Sequence, residues 1–235
     1  ILPPILDSRF SRKIRIAAGR LIEDDDTGRI LARYRDMEPY PRFFAKFKLR
    51  LDPMFQELDG ILPPAGTSLN TILDIGTGYG VPACWLLQRY PGSSIYGIEP
   101  EPERVRVANL AIGDNGRVVQ GLAPQVPQAP DAADAAFMLD MCHFLDNEAF
   151  ELTVGRIYEK MRLGGLFFTR VVLEPRRRMP WSWWLEDLKM KIKGTPGYYR
   201  SLEEVGDLIR RQGFEVQETR YSGKQYELAW VIARR

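Results

Sequence analysis

The chain has 235 residues, 45% of them apolar, and a formal net charge of +2. That length can bury one good core with room for a modest extra segment, and the nearly balanced charge gives no reason to expect a nucleic-acid partner. It contains no run of about eighteen apolar residues that could cross a membrane, no signal-peptide pattern, and no metal-ligand spacing among its two cysteines and single histidine.

Cys84 and Cys142 fit buried, reduced thiols, so a cytoplasmic protein is expected. The opening at Ile1 rather than Met fits a processed product, a trimmed chain or a module of a longer polypeptide. Residues 1–70 read as a linker and helical extension. The first part is basic through Arg9, Arg12, Lys13 and Arg15, then acidic from Glu23 to Asp26. Helices are expected over 27–37 and 41–51. The second places Phe43, Phe44, Phe47 and Leu51 among Arg42, Lys46, Lys48 and Arg50, and these aromatics are expected to pack on the sheet. Residues 54–62 lead into the core.

The next stretch, ILDIGTGYG over 72–80, carries the most information. Ile72, Leu73 and Ile75 predict a strand buried on both faces. Gly76, Gly78 and Gly80 predict a tight turn that a ligand can approach closely. Pro82 suits the first turn of a helix whose apolar face is Ala83, Leu86, Leu87 and Tyr90. A second strand over 94–98 ends at Glu99. A carboxylate about twenty residues beyond such a turn can accept hydrogen bonds from ribose hydroxyls.

This combination resembles the class I S-adenosylmethionine-dependent methyltransferases. Val81 stands where a dinucleotide-binding G-x-G-x-x-G turn has its last glycine. The resemblance implies S-adenosylmethionine as cofactor. Gly76, Thr77, Gly78, Tyr79 and Gly80 would then surround its amino-acid end, with Asp74 holding the turn or its water network. Glu99 would bind the ribose, and Leu122 and Ala123 would flank the adenine. In many relatives an acid stands near that last position, and Leu122 replaces it here.

The remaining elements continue the alternation of strand and helix. A helix over 101–112 and a strand over 117–121 come first. A strand over 134–141 runs into His143, Phe144 and Leu145, and Asp146 can cap a helix with the stripe Phe150, Val154, Ile157 and Met161. Gly164 and Gly165 are expected to end that helix before a strand over 166–173. Ser201 and Glu204 spell a capping box for a helix closed by Gly213, and 214–221 with 226–233 read as a hairpin. The expected fold is α/β, a doubly wound and mostly parallel seven-stranded sheet with an N-terminal helical extension. Residues 71–235 would form the cofactor-binding domain, and the resemblance implies an antiparallel final strand.

Two segments bear on chemistry. The resemblance puts the methyl-transfer cavity near 139–145, where His143 suits a proton acceptor and Asp140 an orienting group for it or for the substrate. A packing role serves His143 equally well. Between the fifth strand and the last helix, Trp181, Trp184, Leu185, Leu188 and Ile192 share one helical face, edged by Lys189 and Lys191. Trp181 to Lys193 would suit peripheral membrane contact, an apolar acceptor, an acidic carrier protein or packing on the chain's own N-terminal segment. The function expected is methyl transfer to a small or lipid-like, partly apolar acceptor, with oxygen favoured. The alternatives are a NAD-binding oxidoreductase and a non-catalytic module that binds a membrane or partner.

Overall fold

A computed structural model describes residues 25–174, 197–223 and 227–235. The chain forms two compact units that divide between Asp52 and Pro53. In the first lie α1 (Asp25–Ala32) and α2 (Pro39–Leu51). After Ala32 the backbone tightens to bonds such as Arg33 N–H to Ile30 O and Tyr34 N–H to Leu31 O, so α1 stops before the expected residue 37. α2 begins at Pro39, where a missing N–H costs nothing. On this helix Tyr40, Phe43, Phe44 and Phe47 are exposed.

The second unit opens with α3 (Met54–Ile61). Glu57 on this helix accepts hydrogen bonds from Trp230 Nε1 at 2.7 Å and Ser222 Oγ at 2.6 Å. α3 is thereby tied to the far end of the sheet. The strands are β1 (Thr71–Ile75), β2 (Ser94–Glu99), β3 (Gly116–Gln120), β4 (Ala133–Leu139), β5 (Met161–Val172), β6 (Glu215–Tyr221) and β7 (Leu228–Arg234). They form one seven-stranded sheet in the order β3-β2-β1-β4-β5-β7-β6. β1 to β5 run parallel, and β7 inserts antiparallel between β5 and β6. The expected doubly wound sheet and terminal hairpin are both present.

Helices α4 (Val81–Arg89), α5 (Pro102–Ile112), α6 (Asn147–Lys160) and α7 (Leu202–Arg211) link the strands. Asp146 caps α6, and Phe150, Val154 and Ile157 on that helix are buried with Met161 just beyond it, as their spacing predicts. Ser201 and Glu204 make the capping box of α7 in both directions. The glycine pair behaves differently from expectation. α6 ends at Lys160, and Gly164 and Gly165 lie inside β5 rather than stopping the helix. A Cβ on Gly165 would come within 2.9 Å of Arg162 O and 3.2 Å of Ala133 O, so the strand needs its bare backbone there.

β1 is buried at all five positions and β4 at six of seven, which fits central strands covered on both faces. Reversal of strand order on either side of β1 opens a crevice at the carboxyl ends of β1 and β4. Ligands bind there in this architecture.

Candidate active site

A cavity of about 590 Å³ occupies that crevice. Its wall is built from Gly76 and Gly78 after β1, Glu99 and Pro100 at the end of β2, and Gly121 to Ala123 after β3. Asp140, Met141 and Phe144 after β4, together with Tyr198, complete it.

The three glycines of the turn all have positive φ, but they answer different needs. A Cβ on Gly80 would meet Ala108 Cα at 3.2 Å, and one on Gly76 would meet Met141 Cγ at 3.1 Å. Gly80 thus lets α5 approach α4, and Gly76 lets Met141 close over the turn. A Cβ on Gly78 would meet nothing within 4 Å. Of the three, it is Gly78 that presents open backbone to the cavity.

Glu99 is buried, at 4% exposure, and it locks the turn to β2. One carboxylate oxygen accepts the Gly78 N–H at 3.0 Å, and the other accepts the Glu101 N–H at 3.2 Å with Arg104 Nη1 at 3.6 Å. Each carboxylate oxygen has two lone pairs, so capacity remains to accept ribose hydroxyls. Arg104 also lies over the Tyr79 ring, 5.5 Å from its centroid. Leu122 is exposed at the cavity and Ala123 is buried beside it.

Asp74 and Thr77 sit under the turn. Thr77 Oγ1 donates to Asp74 O at 3.1 Å, and both residues are buried. Among the described residues Asp74 Oδ2 has no hydrogen-bond partner. Burial above all, with repulsion from Glu99, pushes its carboxyl up to about 7, against a Thr77 hydrogen bond that pulls the other way. The neutral form therefore folds best. This contribution to stability is complete below the unfolded value of 3.8 and is lost as pH rises to about 7. Asp74→Asn, neutral at every pH, should lack that fall. Thermal melts from about pH 4 to 8 check this, and parallel slopes in the two proteins would refute it.

Asp140 stands just past β4 with φ +56, a left-handed conformation that Asp tolerates better than most residues. Arg170 of β5, only 2% exposed, grips its carboxylate with two nitrogens: Nε at 2.6 Å and a shorter contact from Nη2. The carboxylate that the sequence offered for orienting His143 or the substrate is thus engaged by an arginine. His143 lies in a short 3₁₀ turn, Cys142–Phe144. Its ring stacks on Tyr199 at 6.0 Å and tilts against Phe144 at 4.1 Å. Nδ1 is buried and has no partner among the described residues. Burial lowers the pKa of His143, opposed by the Asp140 charge. Phe144, not His143, is the residue of this turn that lines the cavity.

The turn itself is pinned by Arg200, whose guanidinium donates to Leu145 O at 2.6 Å, Cys142 O at 3.2 Å and Asn147 Oδ1 at 2.7 Å. The sequence did not reveal Arg104, Arg170 or Arg200 as site-shaping residues. Arg104 follows the acid closely on the next helix, where it could have been sought. Arg170 and Arg200 are brought in only by strand pairing and by the chain's return from 174 to 200. The tryptophan-rich stripe from Trp181 to Lys193 lies outside the described residues.

A doubly wound sheet with an antiparallel penultimate position, a glycine turn after β1 and an acid ending β2 defines a nucleoside-cofactor domain of the methyltransferase type. Residues 72–165 match a family model described as a methyltransferase domain. That match makes residues 72–165 a methyltransferase domain, set in a sheet of the class I type.

Among solved structures, mitomycin 7-O-methyltransferase MmcR is similar over 97% of this chain and 66% of its own, at 18% identity and a TM-score of 0.64. An O-methyltransferase family protein from Burkholderia thailandensis matches 87% of this chain and 61% of its own, at 16% identity and a TM-score of 0.64. Human N-acetylserotonin methyltransferase, solved with S-adenosylmethionine, matches 89% of this chain and 56% of its own, at 20% identity and a TM-score of 0.58. At these identities the likeness is one of fold, and this chain spans less than two-thirds of the length of those proteins. No curated protein matches it by sequence.

The site fits the family's cofactor, S-adenosylmethionine, on its own geometry. Gly78 leaves open space for close approach, and Glu99 has capacity left for hydroxyls. The unpartnered Asp74 oxygen could answer, directly or through water, a ligand's ammonium group.

Proposed function

We propose that this chain transfers the methyl group of S-adenosylmethionine to an oxygen of a small or lipid-like, partly apolar acceptor. The cavity carries this reading: it joins the hydrogen-bonding Glu99–Gly78 corner to a wall of Met141, Phe144, Leu145 and Tyr198. The oxygen preference is supported by the O-methyltransferases among the structures of similar fold.

The cofactor supplies an electrophilic methyl group on a positively charged sulfur. Glu99 holds ribose hydroxyls, Leu122 and Ala123 flank the adenine, and Gly78 gives the amino-acid end room. Met141, Phe144 and Tyr198 exclude water and align the acceptor, which is most of what a displacement of this kind requires. A hydroxyl acceptor must also lose a proton. His143, whose pKa burial lowers, adjoins the cavity-lining Phe144 and is the group suited to take it. Asp140, fixed by Arg170 at the cavity wall, orients the acceptor.

Methyl-labelled S-adenosylmethionine, incubated with a panel of phenols, aliphatic alcohols and amines, tests this directly. Label should appear in a methyl ether product. Transfer confined to amines would overturn the oxygen assignment, and stronger binding of NAD than of S-adenosylmethionine would overturn the reaction class.

A further inference from the structure

The described part of the N-terminal unit carries an exposed apolar and basic surface of its own. Helix α2 reads PYPRFFAKFKLRL, with four basic residues and no acid. At about 100° per residue, Tyr40, Phe43, Phe44, Phe47 and Leu51 form one stripe. Its members face outward, with Phe43 62% and Leu51 72% exposed, and the buried residues Pro41 and Ala45 lie off the stripe. The Phe43 and Phe47 rings touch at 4.9 Å between centroids. Arg42, Lys46 and Arg50, each one helical turn from the next, form a row that winds from the far side of the helix at Arg42 to the edge of the stripe at Arg50.

Phe43 also borders a groove of about 550 Å³ between α1 and α2, which Arg35, Arg42 and Lys46 line. Among the described residues none of these three cations forms an ion pair, whereas Lys48 on the other edge is paired with Asp52 at 2.6 Å. An apolar stripe of this kind is costly in water unless something covers it. The cation row and groove say what: a partner with apolar depth and an anionic surface. A second copy of an acid-free helix offers no counter-charge.

We propose that α2 docks in the plane of an anionic phospholipid surface. Phe43, Phe47 and Leu51 enter the acyl boundary, while Arg42, Lys46 and Arg50 sit at the level of the phosphates. The Arg35–Arg42–Lys46 groove seats a phosphodiester headgroup.

Co-sedimentation of the full chain with vesicles tests this, using phosphatidylcholine alone and phosphatidylcholine mixed with phosphatidylglycerol. Binding is expected only to the anionic vesicles and should weaken with salt. The double variants Phe43→Ser/Phe47→Ser and Arg42→Glu/Lys46→Glu should each lower partition by about tenfold or more. Both change exposed side chains, so melting temperature and S-adenosylmethionine affinity should hold. Failure to bind anionic vesicles overturns the proposal. Binding that both variants leave intact overturns it too, because another surface is then responsible. A dimer in sedimentation velocity that Phe43→Ser/Phe47→Ser dissociates, with no vesicle binding, assigns the stripe to a second copy instead.

Discussion

Glu99→Ala is expected to weaken S-adenosylmethionine binding by about 1.5–3 kcal/mol, the range for hydrogen bonds to a charged group. The dissociation constant should rise about 10- to 150-fold. The effect has two sources. The variant loses the acceptor for the ribose hydroxyls, and it also releases the Gly78 and Glu101 N–H groups that the carboxylate holds at 3.0 and 3.2 Å. Because Gly78 borders the cavity, a loosened turn adds an ordering cost to binding. Glu99→Gln keeps one carbonyl oxygen to accept the Gly78 N–H and should fall between wild type and Glu99→Ala. Calorimetry with the cofactor and its demethylated product decides. Unchanged affinity in a folded Glu99→Ala protein would remove Glu99 from the ribose site.

Arg170→Met should cost stability before it costs chemistry. The guanidinium is almost fully buried, and its bidentate partner Asp140 is held at a positive φ on the cavity wall. Removing the cation strands a partly buried carboxylate, a loss of about 3 kcal/mol at the low end for broken buried pairs, since Asp140 keeps some solvent contact. For a chain of this size that corresponds to a melting temperature lower by about 6–12 °C. Asp140→Asn in the same background removes the stranded charge and keeps a residue that tolerates the left-handed backbone. The double variant should therefore recover much of the lost stability. If the two substitutions simply add, the ion pair is not what holds the end of β4.

The elements that sequence resolved are those whose signal is local. Periodicity marked β1 and the buried stripe of α6, while Ser201 and Glu204 fixed the start of α7 through bonds between residues three apart. Gly78 and Glu99 were legible because the turn and the strand-ending acid are adjacent in an architecture where β1 and β2 pair in parallel register. The glycine pair of β5 misled because glycine stops a helix and also relieves a crowded strand. Only the approach of Ala133 O shows which applies.

The outward stripe of α2 was equally hidden. An amphipathic helix looks the same in sequence whether its apolar face meets a core or water, and the face is decided by what packs against Pro41 and Ala45.

The resemblance of its motifs to a known family implied the cofactor class, and by itself the sequence determined the alternating α/β order, the glycine turn and the acid at the end of β2. Each depends on short-range geometry that any chain with those residues must satisfy. Tertiary structure alone decided which groups converge on the cavity. Arg170 reaches Asp140 across β4 and β5, and Arg200 returns from far along the chain to pin the turn that carries Phe144 to the wall. Those contacts depend on strand register and chain return, and spacing along the sequence does not encode distance across a sheet.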